Sequence, residues 1–133
     1  MLRLPAFLFA ATICVRIAHS AGQMKLESVG EVIASREFSL LRKGEKTELV
    51  VLMGKPEAFP QGADYYCPYQ IKGFGREKVM AIAGIDAFQA IQLALGTIRV
   101  ELEVIGRDSG GQILWEGDEA GYLGFAELRW DRK

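Results

Sequence analysis

The chain has 133 residues, of which 50% are hydrophobic and 25% are charged, and its formal net charge is −1. A chain of this length forms one domain, with a core large enough to fold without a metal ion or a disulfide. A near-neutral charge without a run of lysine or arginine argues against nucleic acid as the main partner.

The first 23 residues have the layout of a secretory signal. They read MLRLPAFLFAATICVRIAHSAGQ: an arginine, an apolar run, and then small residues that place a cleavage site after Ser20. The apolar run is too short to span a membrane. The other interpretation is that translation starts at Met24 and the protein is cytoplasmic rather than exported. Both interpretations divide the chain into a segment 1–23, which we exclude from the fold, and a single domain 24–133.

Four strands are predicted in the first half of this domain, because short apolar or alternating runs are separated by turn residues. They are residues 31–41, 47–53, 65–74 and 78–83. Connections of a few residues make neighbouring strands antiparallel. Residues 54–64 hold two prolines and two glycines and are predicted to form a loop. Pro68 has no N–H, so we expect it at a sheet edge or a bulge.

A long helix is predicted after Asp86, whose carboxylate is suited to cap the free N–H groups of a first turn. Apolar residues then recur at spacings of three and four, which places them on one stripe of a helix. The stripe consists of Phe88, Ile91, Leu95, Ile98, Leu102 and Ile105, and its first half is widened by Ala87, Ala90 and Ala94. We expect the stripe to be buried against the sheet, so that Leu95→Asp abolishes folding.

A glycine-rich loop at 106–111 ends the helix, and residues 112–116 are predicted to form a fifth strand. Residues 121–128 are predicted to be irregular or extended. The order β-β-β-β-α-β with short connections predicts an α+β fold. In that fold, one long helix packs across one face of an antiparallel sheet of about five strands.

Four runs carry a resemblance to a known family. They are CPYQIKGFG, GIDAFQAIQLAL, LWEG and GYLGF, and together they resemble a small bacterial family of domains of unknown function. The likeness covers about residues 31–125 and implies a compact α+β domain without implying an activity. Members of that family begin just before the first strand, which favours the start at Met24.

The domain lacks the side chains that most catalytic and metal sites need. The only histidine is His19, in the excluded segment, so the domain has no Ser-His-Asp or Cys-His mechanism. Cys14 also lies in that segment, and one remaining thiol, Cys67, can form neither an internal disulfide nor a thiolate zinc site. We expect Cys67 to be a small buried apolar side chain rather than a nucleophile. No catalytic residue, cofactor or metal is predicted.

The tyrosines of the third strand are candidates for contact with another protein. Side chains alternate along a strand, so Tyr69 shares one face with Cys67, and Tyr66 shares the other with Gln70. If the helix covers the first face, the second presents a tyrosine-bearing patch, unless the C-terminal segment covers it. Exposed aromatic side chains often mark partner sites.

Two functions from different classes are therefore open. The first is a non-enzymatic module that binds another protein through a face or an edge of its sheet. The alternative is a small-ligand-binding or enzymatic domain, with a pocket between the helix start and the loops 54–64 and 116–125. Asp64, Asp86 and Asp118 would then be its polar groups. The predicted binding residues are Tyr66, Tyr69, Gln70, Asp86 and Asp118.

Overall fold

A computed structural model of the protein describes residues 15–17 and 23–126. Most of the predicted signal segment, including Cys14, His19 and Ser20, lies outside these residues, as does the chain after residue 126. The division into a segment 1–23 and a domain 24–133 therefore stays a prediction.

The described residues form an antiparallel sheet and one helix. The strands are β1 Val15–Ile17, β2 Gln23–Leu26, β3 Val32–Arg42, β4 Glu45–Gly54, β5 Glu57–Ala58, β6 Tyr65–Lys72, β7 Val79–Gly84 and β8 Gln112–Leu114; the helix, α1 Ala87–Asp108, lies between β7 and β8. Seven strands stand in the order β1-β2-β7-β6-β4-β3-β8, and the two-residue β5 pairs with β6. Every pairing is antiparallel.

The predicted α+β class, with one helix on an antiparallel sheet, is confirmed, whereas the expected strand number of about five is wrong. The strands that were missed are β1, β2 and β5. β5 has only two residues, and it lies inside the predicted loop 54–64. β2 alternates buried Met24 and Leu26 with exposed Lys25, but four residues are too few for a secure periodicity.

The hairpin of β3 and β4 follows from a local signal. Arg42 pairs with Glu45, so Lys43 and Gly44 form a two-residue turn, and both have positive φ, 51° and 79°. A two-residue hairpin turn of this kind matches the twist of the flanking strands, and glycine adopts positive φ at little cost. The turn therefore fixes the register of the longest strand pair in the fold.

Pro68 lies in an interior strand, so the expectation of an edge or a bulge is wrong. No residue of β4 or β5 pairs with it, because β4 ends at Gly54 and β5 begins at Glu57. Pro68 is thus opposite the interruption between these two strands, where a missing N–H is tolerated. A side chain on Gly54 would collide with the Pro68 ring and with the carbonyl of Val29.

The helix packs on one face of the sheet, and its buried face differs from the predicted stripe. Its larger buried side chains are Ile98, Leu102 and Ile105, as expected. Phe88, however, is 80% exposed and Leu95 is 36% exposed, so the expectation is wrong for both. In the first half of the helix the buried residues are alanines, Ala90 and Ala94.

The helix begins too close to the sheet for larger side chains. A Cβ placed on Gly84, the last residue of β7, would lie only 2.5 Å from the nitrogen of Ala90. Close backbone contact of this kind requires small residues on both sides. In the first half of α1, the buried face is therefore centred on Ala90 and Ala94 instead of on the larger residues of the predicted stripe.

The opposite face of the sheet carries a smaller apolar cluster. It consists of Met24, Leu26, Tyr66, Val79 and Ala81, with Val29, Phe59 and Ala83 packed against it. The ring of Phe59 lies 5.1 Å from that of Tyr66. Among the described residues, Tyr66 is therefore buried by β2 and the 54–64 loop, so the expectation of an exposed tyrosine-bearing patch is wrong.

Candidate functional site

The structure does not bring the predicted acidic binding residues together. Asp86 caps the helix, since its Oδ1 accepts a hydrogen bond of 2.8 Å from the Gln89 N–H. Asp118 lies beyond β8, and its Oδ1 accepts a 2.8 Å bond from the N–H of Ala120. The two residues lie near opposite ends of α1, because Glu119 is bonded to Gln112 of β8, just after the helix. They cannot form one pocket.

The residues predicted on β6 are held by internal contacts. Tyr69 is 1% exposed, and its hydroxyl donates a 2.6 Å hydrogen bond to Oε1 of Glu101. The Gln70 side chain donates a 2.7 Å bond to the carbonyl of Glu77. Neither side chain lies on a shared exposed patch with Tyr66. The binding roles of these three residues stay predictions, although the structure gives each a packing role.

Cys67 lies in the core beneath the helix. It is fully buried, and burial raises the pKa of its thiol to about 11. A thiol with such a pKa is protonated at neutral pH and is a poor nucleophile. This environment matches the apolar packing role expected from the sequence.

The feature best suited to binding is the outer edge of β3. β8 pairs with β3 only at residues 39–41. Residues 32–38 have no strand on this side within the described ranges. Val32 and Ile33 are 46% and 48% exposed. An edge strand with unpaired N–H and C=O groups is a template for another strand.

An apolar groove runs beside this edge on the helix side. Ala34, Val51 and Met53 line it from the sheet, and Leu95 and Ile98 line it from the helix. Its volume is about 120 Å³. The exposure of the Leu95 side chain is therefore explained by its position, because it forms a wall of the groove instead of filling the core.

Arg36 closes the groove at one end by fixing the C-terminal segment. Its Nη1 donates hydrogen bonds of 3.2 Å to the carbonyl of Leu123 and 2.8 Å to that of Gly124. Its guanidinium lies 4.5 Å from the centre of the Trp115 ring and 5.0 Å from that of Phe125. Such stacking combines cation–π attraction with packing.

The requirement for glycine at position 124 shows how closely Arg36 packs against the C-terminal segment. Gly124 has φ of 81°, and a Cβ there would lie 2.5 Å from Nη1 of Arg36. Arg36 was missed among the candidate residues. The sequence did contain a signal for Arg36. Side chains alternate along β3, so Arg36 lies on the same face of the strand as the buried Phe38 and Leu40, where a charged residue is unexpected.

The described residues contain no group of three or more His, Cys, Asp or Glu side chains arranged to hold a metal ion. Within the same part of the chain, no helix is long and apolar enough to cross a membrane. The candidate site consists of the β3 edge and the apolar groove beside it.

Fold and site together define a small α+β domain with one helix on an antiparallel sheet and an accessible edge strand. The family model of a domain of unknown function, DUF6968, matches residues 34–127. The match spans 127 − 34 + 1 = 94 of the 133 residues, and the chain belongs to this family. No curated protein and no solved structure matches the chain. The resemblance to a family of domains of unknown function is thus confirmed.

Proposed function

We propose that the protein is a non-enzymatic protein-binding module, and that its partner adds an extended segment as a strand beside residues 32–38 of β3. The observation that supports this is the outer edge of β3, where no strand of the described ranges pairs with residues 32–38, with an apolar groove beside it. β8 already occupies the same row at residues 39–41. A partner strand would continue that row and extend an interface that the fold itself uses.

The backbone supplies the affinity in this mode of recognition. A strand added to a sheet edge exchanges main-chain hydrogen bonds with it, and pockets for alternate side chains give specificity. On the helix side, the groove between Leu95 and Met53 takes an apolar side chain. Burying one such side chain contributes about 1.5–3 kcal/mol.

Acidic residues on the face of β3 away from the helix indicate which side chains the partner strand would place on that face. On the face away from the helix, β3 presents Ser35 and Glu37, both exposed. Glu48 of the neighbouring strand is also exposed and pairs with Ser39. A lysine or arginine side chain of a partner strand would lie beside the Glu37 carboxylate, in a region made more negative by Glu48. The partner is therefore an extended segment that alternates apolar and basic residues.

A synthetic seven-residue peptide alternating valine and lysine is the probe for this proposal. We expect it to bind the full chain and to shift the amide NMR signals of residues 32–38. A matched peptide alternating valine and glutamate should bind at least about tenfold more weakly, because it places carboxylates against Glu37.

The variant Leu95→Asp is the decisive change, because it puts a charge into the groove wall without touching the core. We expect it to remain folded and to weaken binding of the valine–lysine peptide by about tenfold or more. Val100→Asp is the matched control: Val100 is an exposed apolar residue on the other flank of the same helix. It should leave peptide binding unchanged.

Several outcomes would overturn the proposal. One is the absence of NMR shifts in residues 32–38, and another is equal binding of both peptides. A dimer in sedimentation analysis that Leu95→Asp abolishes would show that a second copy of the chain takes this edge. A chain ending at Ala126 that gains peptide affinity would assign the edge to residues 127–133.

Three finer expectations accompany this proposal: a bacterial origin, the specific four-run motif pattern, and a cytoplasmic protein that starts at Met24. Mass spectrometry of the natural N-terminus tests the last of them. A mature chain that begins at Ala21 would instead support export with cleavage after Ser20.

A further inference from the structure

A second concave region lies on the other flank of α1, between the helix and the connection from β6 to β7. Its volume is about 400 Å³. The strands contribute Tyr69 and Met80, the connection contributes Arg76 and Lys78, and the helix contributes Glu101. This volume lies within the range of about 300–1,000 Å³ that small-molecule sites occupy.

The helix side of the cavity presents a positioned carboxylate. Glu101 is partly buried, and its side chain is 24% exposed. The buried Tyr69 hydroxyl donates to its Oε1 at 2.6 Å. A hydrogen bond to a charged group is stronger than one between neutral groups, and it restricts the carboxylate to one orientation. Glu101 therefore offers a fixed negative charge at the cavity wall.

The opposite wall presents the positive charge of Arg76, whose side chain is 47% exposed. Arg76 Nη2 lies 3.9 Å from Oε2 of Glu101, which is an ion pair too long for a hydrogen bond. The backbone beneath it is rigid, because Gly73 and Arg76 exchange hydrogen bonds of 3.0 and 3.3 Å. Gln70 holds the next residue through its 2.7 Å bond to the carbonyl of Glu77.

The charges that line the cavity select the ligand class. Arg76 and Lys78 are balanced by Glu77 and Glu101. A simple anion would be attracted by the first pair and repelled by the second, and a simple cation would meet the reverse. A small molecule that carries both charges satisfies both walls at once.

We infer that this cavity binds a free α-amino acid with an aliphatic side chain. The ammonium group would face Glu101, and the carboxylate would face Arg76 and Lys78. The side chain would lie against Ile71 and Met80, the apolar residues of the wall. This site is separate from the β3 edge, so each can fail without the other.

Calorimetric titration of the full chain tests the inference with three probes: leucine, N-acetyl-leucine and leucine amide. We expect leucine to bind, and each blocked analogue to bind at least about tenfold more weakly because it has lost one charge. Glu101→Gln and Arg76→Gln should each weaken leucine binding by about the same factor. Gln at position 101 still accepts a hydrogen bond from Tyr69, which preserves the packing.

Two controls separate this site from its surroundings. Arg99→Gln removes a partly exposed cation from the same helix. Arg99 forms a 2.9 Å pair with Glu103, neither residue lines the cavity, and the variant should leave leucine binding unchanged. Leu95→Asp, which changes the groove beside β3, should also leave leucine binding unchanged.

Four results would overturn the inference. The first is no leucine binding up to about 10 mM, and the second is that N-acetyl-leucine or leucine amide binds as tightly as leucine. The third is that Arg99→Gln loses as much leucine affinity as the cavity variants. The fourth is an unchanged leucine affinity in both Glu101→Gln and Arg76→Gln. The valine–lysine peptide result is independent of all of them.

Discussion

The two halves of α1 follow the same apolar periodicity but bury different residues. In the second half, Ile98, Leu102 and Ile105 point into the core, whereas in the first half Ala90 and Ala94 do so and Phe88 is exposed. The difference comes from distance, since the helix approaches the sheet most closely where it leaves β7. A periodic pattern therefore identifies a helix reliably, but the neighbouring backbone decides which of its residues are buried.

The largest effect is expected in the second half of the helix. Leu102→Ala removes a fully buried side chain and should lower the free energy of unfolding by about 2–5 kcal/mol. Urea unfolding monitored by circular dichroism measures this loss. Val100→Ala, at an exposed position two residues earlier, is the control and should cost about 1 kcal/mol or less. Equal losses for both variants would contradict the assignment of the buried face.

A smaller effect is expected where the first half meets the sheet. Ala90→Leu adds volume at the close contact with Gly84 and should destabilise the protein by about 1–3 kcal/mol, because the core must shift to accommodate it. Gln92→Leu, at an exposed position of the same helix, should change stability by about 0.5 kcal/mol or less. A stable Ala90→Leu protein would show that the helix start is not tightly packed.

The exposed side of the first half should tolerate a charge. Leu95→Asp is expected to destabilise the protein by only about 1 kcal/mol, because Leu95 contributes to a groove wall and not to the core. This outcome replaces the sequence-based expectation that the variant abolishes folding. Thermal unfolding compares it with the wild type, and the loss of a cooperative transition would restore the earlier expectation.

The smallest effect concerns the ionisation of Cys67, which should leave the free energy of unfolding unchanged near neutral pH. Burial raises the pKa of its thiol to about 11, so the folded protein keeps this proton when an unfolded chain has begun to lose it. The resulting stabilisation is complete below the ordinary thiol pKa and is lost as pH rises towards 11.

A thiol reagent at pH 8 measures the same burial directly. In a Cys14→Ser variant, whose remaining thiol is Cys67, the reagent should react only after denaturant unfolds the chain, with the rate limited by opening of the structure. Rapid labelling of the native protein would show that the core beneath α1 is open. The comparison of the two helix halves would then need revision.

Local signals made much of the fold predictable. The cap at Asp86 depends on neighbouring residues and lies where the sequence predicts it. The turn at Lys43 and Gly44 lies between the predicted strands 31–41 and 47–53. The bounds of β3, β4, β6 and β7 agree with the predicted strands to within two residues at each end. The short strands β1, β2 and β5 could not be predicted securely, because they are too short for periodicity to separate them from loops.

The candidate site was much less predictable, since it depends on contacts between distant parts of the chain. Arg36 bonds residues 87 and 88 positions away, and no local pattern indicates that pairing. In the part of the chain that the structure describes, residues 32–38 have no outer strand because β8 returns to pair with only three residues of β3. Sequence patterns show which segments form strands, but not which edges remain without a neighbour.

The sequence by itself determined the α+β class, the helix and its cap, and the scarcity of catalytic side chains. These properties follow from composition, periodicity and interactions within a few residues. The tertiary structure alone decided that Tyr69 meets Glu101, that Tyr66 is buried and that Leu95 faces a groove. The reason is that burial and charge pairing depend on how closely two backbones approach, and that distance is set by the whole fold.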